Sequence, residues 1–215
     1  MTRRGAIIVG GLLLGGCLGG PRPVERYRLV PAPVAHPAAT AATTAESGAS
    51  SLPTLTVEPY ATSGIYADPQ IVFRLGETTY GTYPNREWAV PLGTMLADAT
   101  LEVMRAIPAL RARVADERAS SSSDLVWRGV VQQFEEVDRG NQVSAAVRLD
   151  AALVRVPGDS VIWQGTVGLE QPVPEATMGA IVDSLSSLTS GAIVQLLAGA
   201  RGALTAHTLR LSRTR

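Results

Sequence analysis

A chain of 215 residues, 46% hydrophobic but only 5% aromatic, has room for one folded domain plus tails. Its 19 basic residues, all arginine, are balanced by 19 acidic ones, so no net field draws it onto nucleic acid. A single cysteine excludes an internal disulfide. The two histidines, His36 and His207, lack carboxylate or cysteine neighbours at ligand spacing, so neither a metal nor any other cofactor is expected.

The first element is an export signal. Arg3 and Arg4 precede an apolar run from Gly5 through Leu14, about ten residues where a bilayer span needs roughly 20; this is the size of a signal-peptide core. The run ends in Leu14-Gly15-Gly16-Cys17, which resembles the bacterial lipobox. That resemblance implies cleavage before Cys17, with Leu14, Gly15 and Gly16 as the peptidase recognition residues, and acylation of the new N-terminus. A thiol exported alone is a liability that lipidation removes. Two or more acyl chains, at about 0.8 kcal/mol per buried methylene, give stable anchoring. Leu18, where inner-membrane retention usually has Asp, implies the outer membrane.

Residues 1–16 are thus read as signal peptide, and 17–30 as lipidated N-terminus with a short strand. Residues 31–53, rich in Ala, Thr, Ser and Pro, cannot bury enough apolar surface to offset their ordering entropy and are expected to form a flexible tether. A folded body is placed at 54–200 and a basic tail at 201–215, with Arg201, Arg210, Arg213 and Arg215 either complementing a helix end or touching phospholipid headgroups.

Within the body, Leu55 and Val57 alternate with polar residues up to Pro59. Residues 71–75 form a second strand candidate, pairing with 78–83 across Gly76-Glu77. Pro91 suits a first helical turn, and Leu92, Met95, Leu96, Ala99, Val103 and Ile107 make one apolar face before Pro108. A meander follows. Leu125–Val137 has Val130 and Phe134 on one expected face, then come Val143 through Leu153 at alternate positions, then Val161, Trp163, Val167 and Leu169. A one-residue slip would bury Arg148 and Asp150, so register is well specified. From Glu175 onward Met178, Ile181, Leu185, Leu188, Ala192, Ile193 and Leu196 form an apolar stripe, with Asp183, Ser186, Ser187 and Ser190 expected opposite it, against a membrane span. The fold class is therefore α+β: a two-layer sandwich of a mainly antiparallel sheet with two amphipathic helices.

These residues resemble the ABC-type transport auxiliary lipoproteins, the group containing the outer-membrane lipoprotein of the paraquat-inducible system. The resemblance rests on Tyr27-Arg28-Leu29 after the cysteine, Ile71-Val72 with Arg74, Trp88-Ala89-Val90-Pro91-Leu92 opening the first helix, Gly129 and Phe134 in the meander, and Met178 in the closing helix. It implies a cell-envelope protein that works with a mammalian-cell-entry domain protein and an ABC permease and ATPase. The traffic would be lipid or hydrophobic solute crossing the periplasm, and the protein itself is a possible homo-oligomer. Trp88 and Pro91 are its candidate partner contacts; Trp163 is expected in the core.

Catalysis is not expected. There is no Gly-x-Ser-x-Gly elbow and no Gly-rich phosphate loop. Glu135 and Glu136 are adjacent on a strand and point to opposite faces, with Asp138 expected to make a solvated strand end with them. An alternative of another class is an assembly factor or plug for an outer-membrane β-barrel. The anchor yields the first prediction: Cys17→Ser abolishes incorporation of labelled palmitate and moves the protein from the membrane pellet to the soluble fraction on flotation.

Overall fold

The computed structural model describes residues 23–31, 54–108, 110–111, 114–116, 123–156 and 158–213, with side chains as far as residue 205. Cys17, Leu14, Gly15, Gly16, His36 and nearly all of the 31–53 segment lie outside the described residues. The strands are β1 (Glu25–Tyr27), β2 (Leu55–Val57), β3 (Gln70–Leu75), β4 (Thr79–Trp88), β5 (Val114–Asp116), β6 (Leu125–Asp138), β7 (Val143–Arg155) and β8 (Ser160–Pro172). The helices are α1 (Leu92–Ala106) and α2 (Met178–Arg213). All eight strands join one sheet, and both helices pack on one of its faces. The α+β sandwich is as the patterning requires.

The long pairings are antiparallel, β3–β4, β6–β7 and β7–β8. Of the four parallel ones, β2–β6 and β3–β6 arise because the chain from β2 to β3 runs along a single edge of β6. Leu55 lies beside Leu125, Ala61 bridges to Val130, and Phe73 lies beside Glu136. Between them a short 3-10 turn, Gly64–Tyr66, loops out. β5, which the sequence pattern did not reveal, pairs with the other edge of β2.

The meander is correct in its centre and corrected at two bulges. On β7, Ala145, Val147, Leu149, Ala151 and Leu153 are all buried, while Arg148 is exposed. On β6 the register shifts between Val131 and Gln133. An extra residue reverses the side-chain alternation, so Val130 is exposed whereas Phe134 is buried; the two do not share a face. A second shift opposite Leu153/Val154 leaves Val161 exposed and turns Ile162 toward the core.

α2 departs from its expected polar stripe. Asp183 and Ser187 are exposed, but Ser186 and Ser190 are buried. Their hydroxyls donate to the carbonyls of Val182 (2.8 Å) and Ser186 (3.1 Å), and Thr189 donates likewise to Leu185 (2.7 Å). Back-bonding of this kind lets small hydroxyls enter a core satisfied. Met178–Thr205 is long and apolar enough to cross a membrane, yet 61% of its apolar window is buried inside the domain; it is the core helix. It also runs through to Arg213, so residues 201–213 continue the helix rather than form a separate tail.

Sheet and helix α1 are locked together by Tyr60, which is 3% exposed. Its N–H donates to the Gly93 carbonyl in the first turn of α1 (3.0 Å). Its hydroxyl accepts from Trp127 Nε1 (3.1 Å) and bonds to Thr100 Oγ1 (2.9 Å). Both flanking positions must be glycine. A Cβ at Gly129 on β6 would stand 2.2 Å from the Tyr60 ring, and one at Gly93 would stand 2.1 Å from the Tyr60 carbonyl oxygen. Overpacking costs about 1–3 kcal/mol when side chains can yield, and more when they cannot. In urea denaturation, Gly93→Ala is expected to destabilise more than Gly129→Ala, because its obstacle is backbone, despite the roughly 1 kcal/mol that alanine gains over glycine in a helix. Tyr60→Phe costs about 1–3 kcal/mol by orphaning the indole N–H.

Candidate functional site

The site of interest is the corner where the N-terminal segment, which follows the expected lipidation motif, enters the fold. β1 adds to the sheet in parallel with the end of β4, placing Glu25 beside Arg86 and Tyr27 beside Trp88. Arg86 binds the Glu25 carboxylate (2.8 Å) and donates to the Tyr27 hydroxyl (2.6 Å), while its guanidinium sits 6.0 Å from the Tyr27 ring centre. Ala89 N donates to the Tyr27 carbonyl (2.8 Å). Beyond the strand, Leu29 is buried in the core and Val30 N donates to Ser186 Oγ (3.2 Å) on α2. The segment straps across the domain from sheet edge to core helix. Residues 31–53 therefore lie in sequence between two strands of one sheet, β1 and β2, and not ahead of the folded body.

Trp88 ends β4, turned inward. It is 5% exposed and meets Phe134 edge-on, ring centres 5.6 Å apart at 70°. Pro91, three residues on, caps α1 and is exposed; its carbonyl accepts from Thr94 N (3.0 Å) and Met95 N (3.1 Å). Of the two candidate contacts, Pro91 presents surface and Trp88 supports the turn beneath it. Trp163 is half-buried and stacks on Trp127, centres 5.6 Å apart at 23°, joining the core as expected. Two shallow clefts of about 320 and 430 Å³ flank the strap. They share Tyr83 and Arg86; one is lined by Pro23 and Pro84, the other by Tyr27 and the start of α2 at Met178.

Glu135 and Glu136 point to opposite faces, but neither is solvated: they are 0% and 6% exposed. Glu135 accepts from Arg74 Nε (2.7 Å), Gln133 Nε2 (2.9 Å) and the Tyr66 hydroxyl of the looped-out turn. Arg74, 7% exposed, also donates to the Gly76 carbonyl (2.9 Å). Glu136 accepts from the Tyr83 hydroxyl (2.6 Å). Burial raises the Glu136 pKa above the usual carboxylate range, the Tyr83 hydrogen bond opposes that rise and Asp138 adds to it. The arrangement is a satisfied pair of buried acids that holds the 3-10 turn and β4 onto β6. A buried ion pair left without one partner is strongly destabilising, which gives these residues a structural role. Arg74 was visible in the sequence as part of a motif; its partner was not. Among the described residues no group of three His, Cys, Asp or Glu is placed to hold a metal.

Three phenols, Tyr60 buried and Tyr66 and Tyr83 half-buried, give the domain an alkaline limit. Tyr60, Tyr66 and Tyr83 are each raised above the ordinary phenol value, with burial the leading cause; Glu135 adds to the rise at Tyr66 and Glu136 at Tyr83. The unfolded chain ionises its phenols from about pH 10, while the folded one keeps these protonated. Stability is thus full below that value and falls as pH rises above it. Urea midpoints are expected to decline above about pH 10, and Tyr83→Phe to shallow that decline.

The sequence matches a known family, and the fold corresponds to known structures. A family model described as the ABC-type transport auxiliary lipoprotein component matches residues 35–196. The crystal structure of protein XCC0632 from Xanthomonas campestris superposes with a TM-score of 0.65 at 20% identity, covering 84% of this chain and 99% of that one. A crystal structure of an uncharacterized protein superposes with a TM-score of 0.60 at 15% identity, covering 81% and 96%. At such identities these likenesses show the shared fold. No curated protein matches the chain.

Proposed function

Because the chain belongs to the ABC-type transport auxiliary lipoprotein component family, we propose that it is the docking lipoprotein of such a transport system, positioning a partner at the membrane without catalysing a reaction. A lipoprotein component has its place in the cell envelope. In this reading acylated Cys17 fixes the chain to the outer membrane. Its partner is a mammalian-cell-entry domain protein served by an ABC permease and ATPase, and the cargo is lipid or another hydrophobic solute.

The observation that carries the reading is the strap. Cys17 and Pro23 lie six positions apart, at most roughly 20 Å of extended chain. β1 is then ion-paired and hydrogen-bonded into the sheet. An anchor joined this closely to a rigid edge fixes where the body stands above the bilayer, a geometry suited to positioning. The clefts beside the strap are shallow and open, and their linings mix Tyr83 and Arg86, common to both, with Glu25 and Asn85 in one and Met178 and Ile181 in the other. They favour a partner's surface over an engulfed acyl chain.

The test is affinity capture from detergent-solubilised membranes with the anchor intact. A mammalian-cell-entry protein with its permease and ATPase is expected in the eluate. Pro91→Glu is expected to reduce that recovery several-fold while leaving the urea midpoint unchanged. Recovery of a β-barrel protein alone would defeat the reading.

A further inference from the structure

Of the three strands that end the sheet among the described residues, two are short, β1 and β5 with three residues each, and the part of β4 that β1 leaves uncovered is interrupted by Pro84. The third is β8, thirteen residues long, and among the described residues it pairs only with β7. Proteins blunt long edges with charge, proline or a covering segment, because the row of unpaired N–H and C=O groups is a template for another strand. From Ser160 to Leu169 there is neither a charged residue nor a proline. This edge is left open.

We propose that β8 is a self-association surface, on which two copies of this chain pair antiparallel about a two-fold axis at Gly165 and join their sheets. The occupant follows from the side chains. Trp163-Gln164-Gly165-Thr166-Val167 reads the same in polarity from either end. Reversed against itself about Gly165, it sets Trp163 of one copy opposite Val167 of the other on the helix side of the sheet. Gln164 faces Thr166 on the outer side. Cross-strand pairs of this kind are the stabilising unit of a sheet, and a two-fold contact requires such self-complementarity. Glu170 falls opposite Ser160, so no like charges meet.

Packing agrees. Leu153, Leu149 and Val147 on β7 are fully buried, whereas Trp163, Val167 and Leu169, which lie opposite them, are only half-buried. The contacts they lack are those that a next strand supplies. Glycine at the centre is required, because the Trp163 ring folds back over it and a Cβ at Gly165 would stand 2.6 Å from the ring. The proposal is independent of which transport system the lipoprotein serves.

Cross-linking in the native envelope tests it on the full-length lipoprotein. Gln164→Cys combined with Thr166→Cys places thiols directly across the axis and is expected to give a disulfide-linked dimer on oxidation. Glu170→Cys, remote from its own copy in this register, is expected to give none. A double variant that stays monomeric, or a Glu170→Cys variant that links as efficiently, overturns the proposal. A second measurement uses the unaltered chain in detergent, so it holds even if a variant fails to fold. Amide exchange at 163–167 is expected to slow at least several-fold as protein concentration rises, and that slowing to vanish in Gln164→Lys/Thr166→Lys. The lysine introduced at 166 faces Asp150, to which Thr166 now donates (2.7 Å). Protection that does not vary with concentration means the chain covers its own edge and likewise overturns the proposal.

Discussion

Everything in this domain is arranged around one side chain wedged between its two layers. Tyr60 lies between β6 and α1, with glycine on either side and its hydroxyl shared by an indole and a threonine. A phenol inside a core is tolerated only when its polar tip is paired, and here the pairing ties three elements that are distant in sequence. Because Tyr60 N also bonds to the Gly93 carbonyl, the wedge sets the height at which α1 begins. That in turn fixes Pro91 and the Trp88 turn just before it. The placement of the Pro91 corner is thus a consequence of a core contact.

The same economy governs the other side of the sheet. The chain between β2 and β3 covers one edge of β6 with two short parallel strands and a bridge, and the looped-out turn brings Tyr66 onto Glu135. Arg74 and its acid partner are both deeply buried. Removing two charges from water is costly, and such pairs confer less stability than their proximity suggests. Their effect is to make one register right and its neighbours wrong. A slip of β3 along β6 would strand a carboxylate in the sheet.

Family membership and the strap bear on function from opposite directions. The family match places the chain among auxiliary lipoproteins of ABC-type transport, and in the proposed reading, with Cys17 acylated, the strap gives that role a mechanical form. An anchor separated from its domain by a long flexible segment sets only a radius. An anchor a few residues from an ion-paired strand sets a position as well. The Ala/Thr/Pro-rich stretch instead interrupts the domain after Pro31, with both of its ends held by the sheet and core.

By itself the sequence determined the layers and the anchor motif. Periods of two and of 3.6 are local, so β7, the heart of the meander, the apolar faces of both helices and the Leu14–Cys17 motif could be read from neighbouring residues alone. Gly129 also stood out, as a glycine in a strand does, without disclosing what lay over it. Only tertiary structure decided the rest. The bulge at Gln132 reverses the faces of β6, and no local pattern distinguishes an inserted residue from a continuing one. Ser186 and Ser190 looked solvated because polarity was counted, whereas their hydroxyls are satisfied by their own helix. Glu135 and Glu136 looked like a wet strand end because their partners, Arg74, Tyr66 and Tyr83, stand some fifty to seventy positions upstream. β1 joins the sheet through β4, some sixty residues away. In each case the deciding contact is distant along the chain, and periodicity carries no information about such contacts.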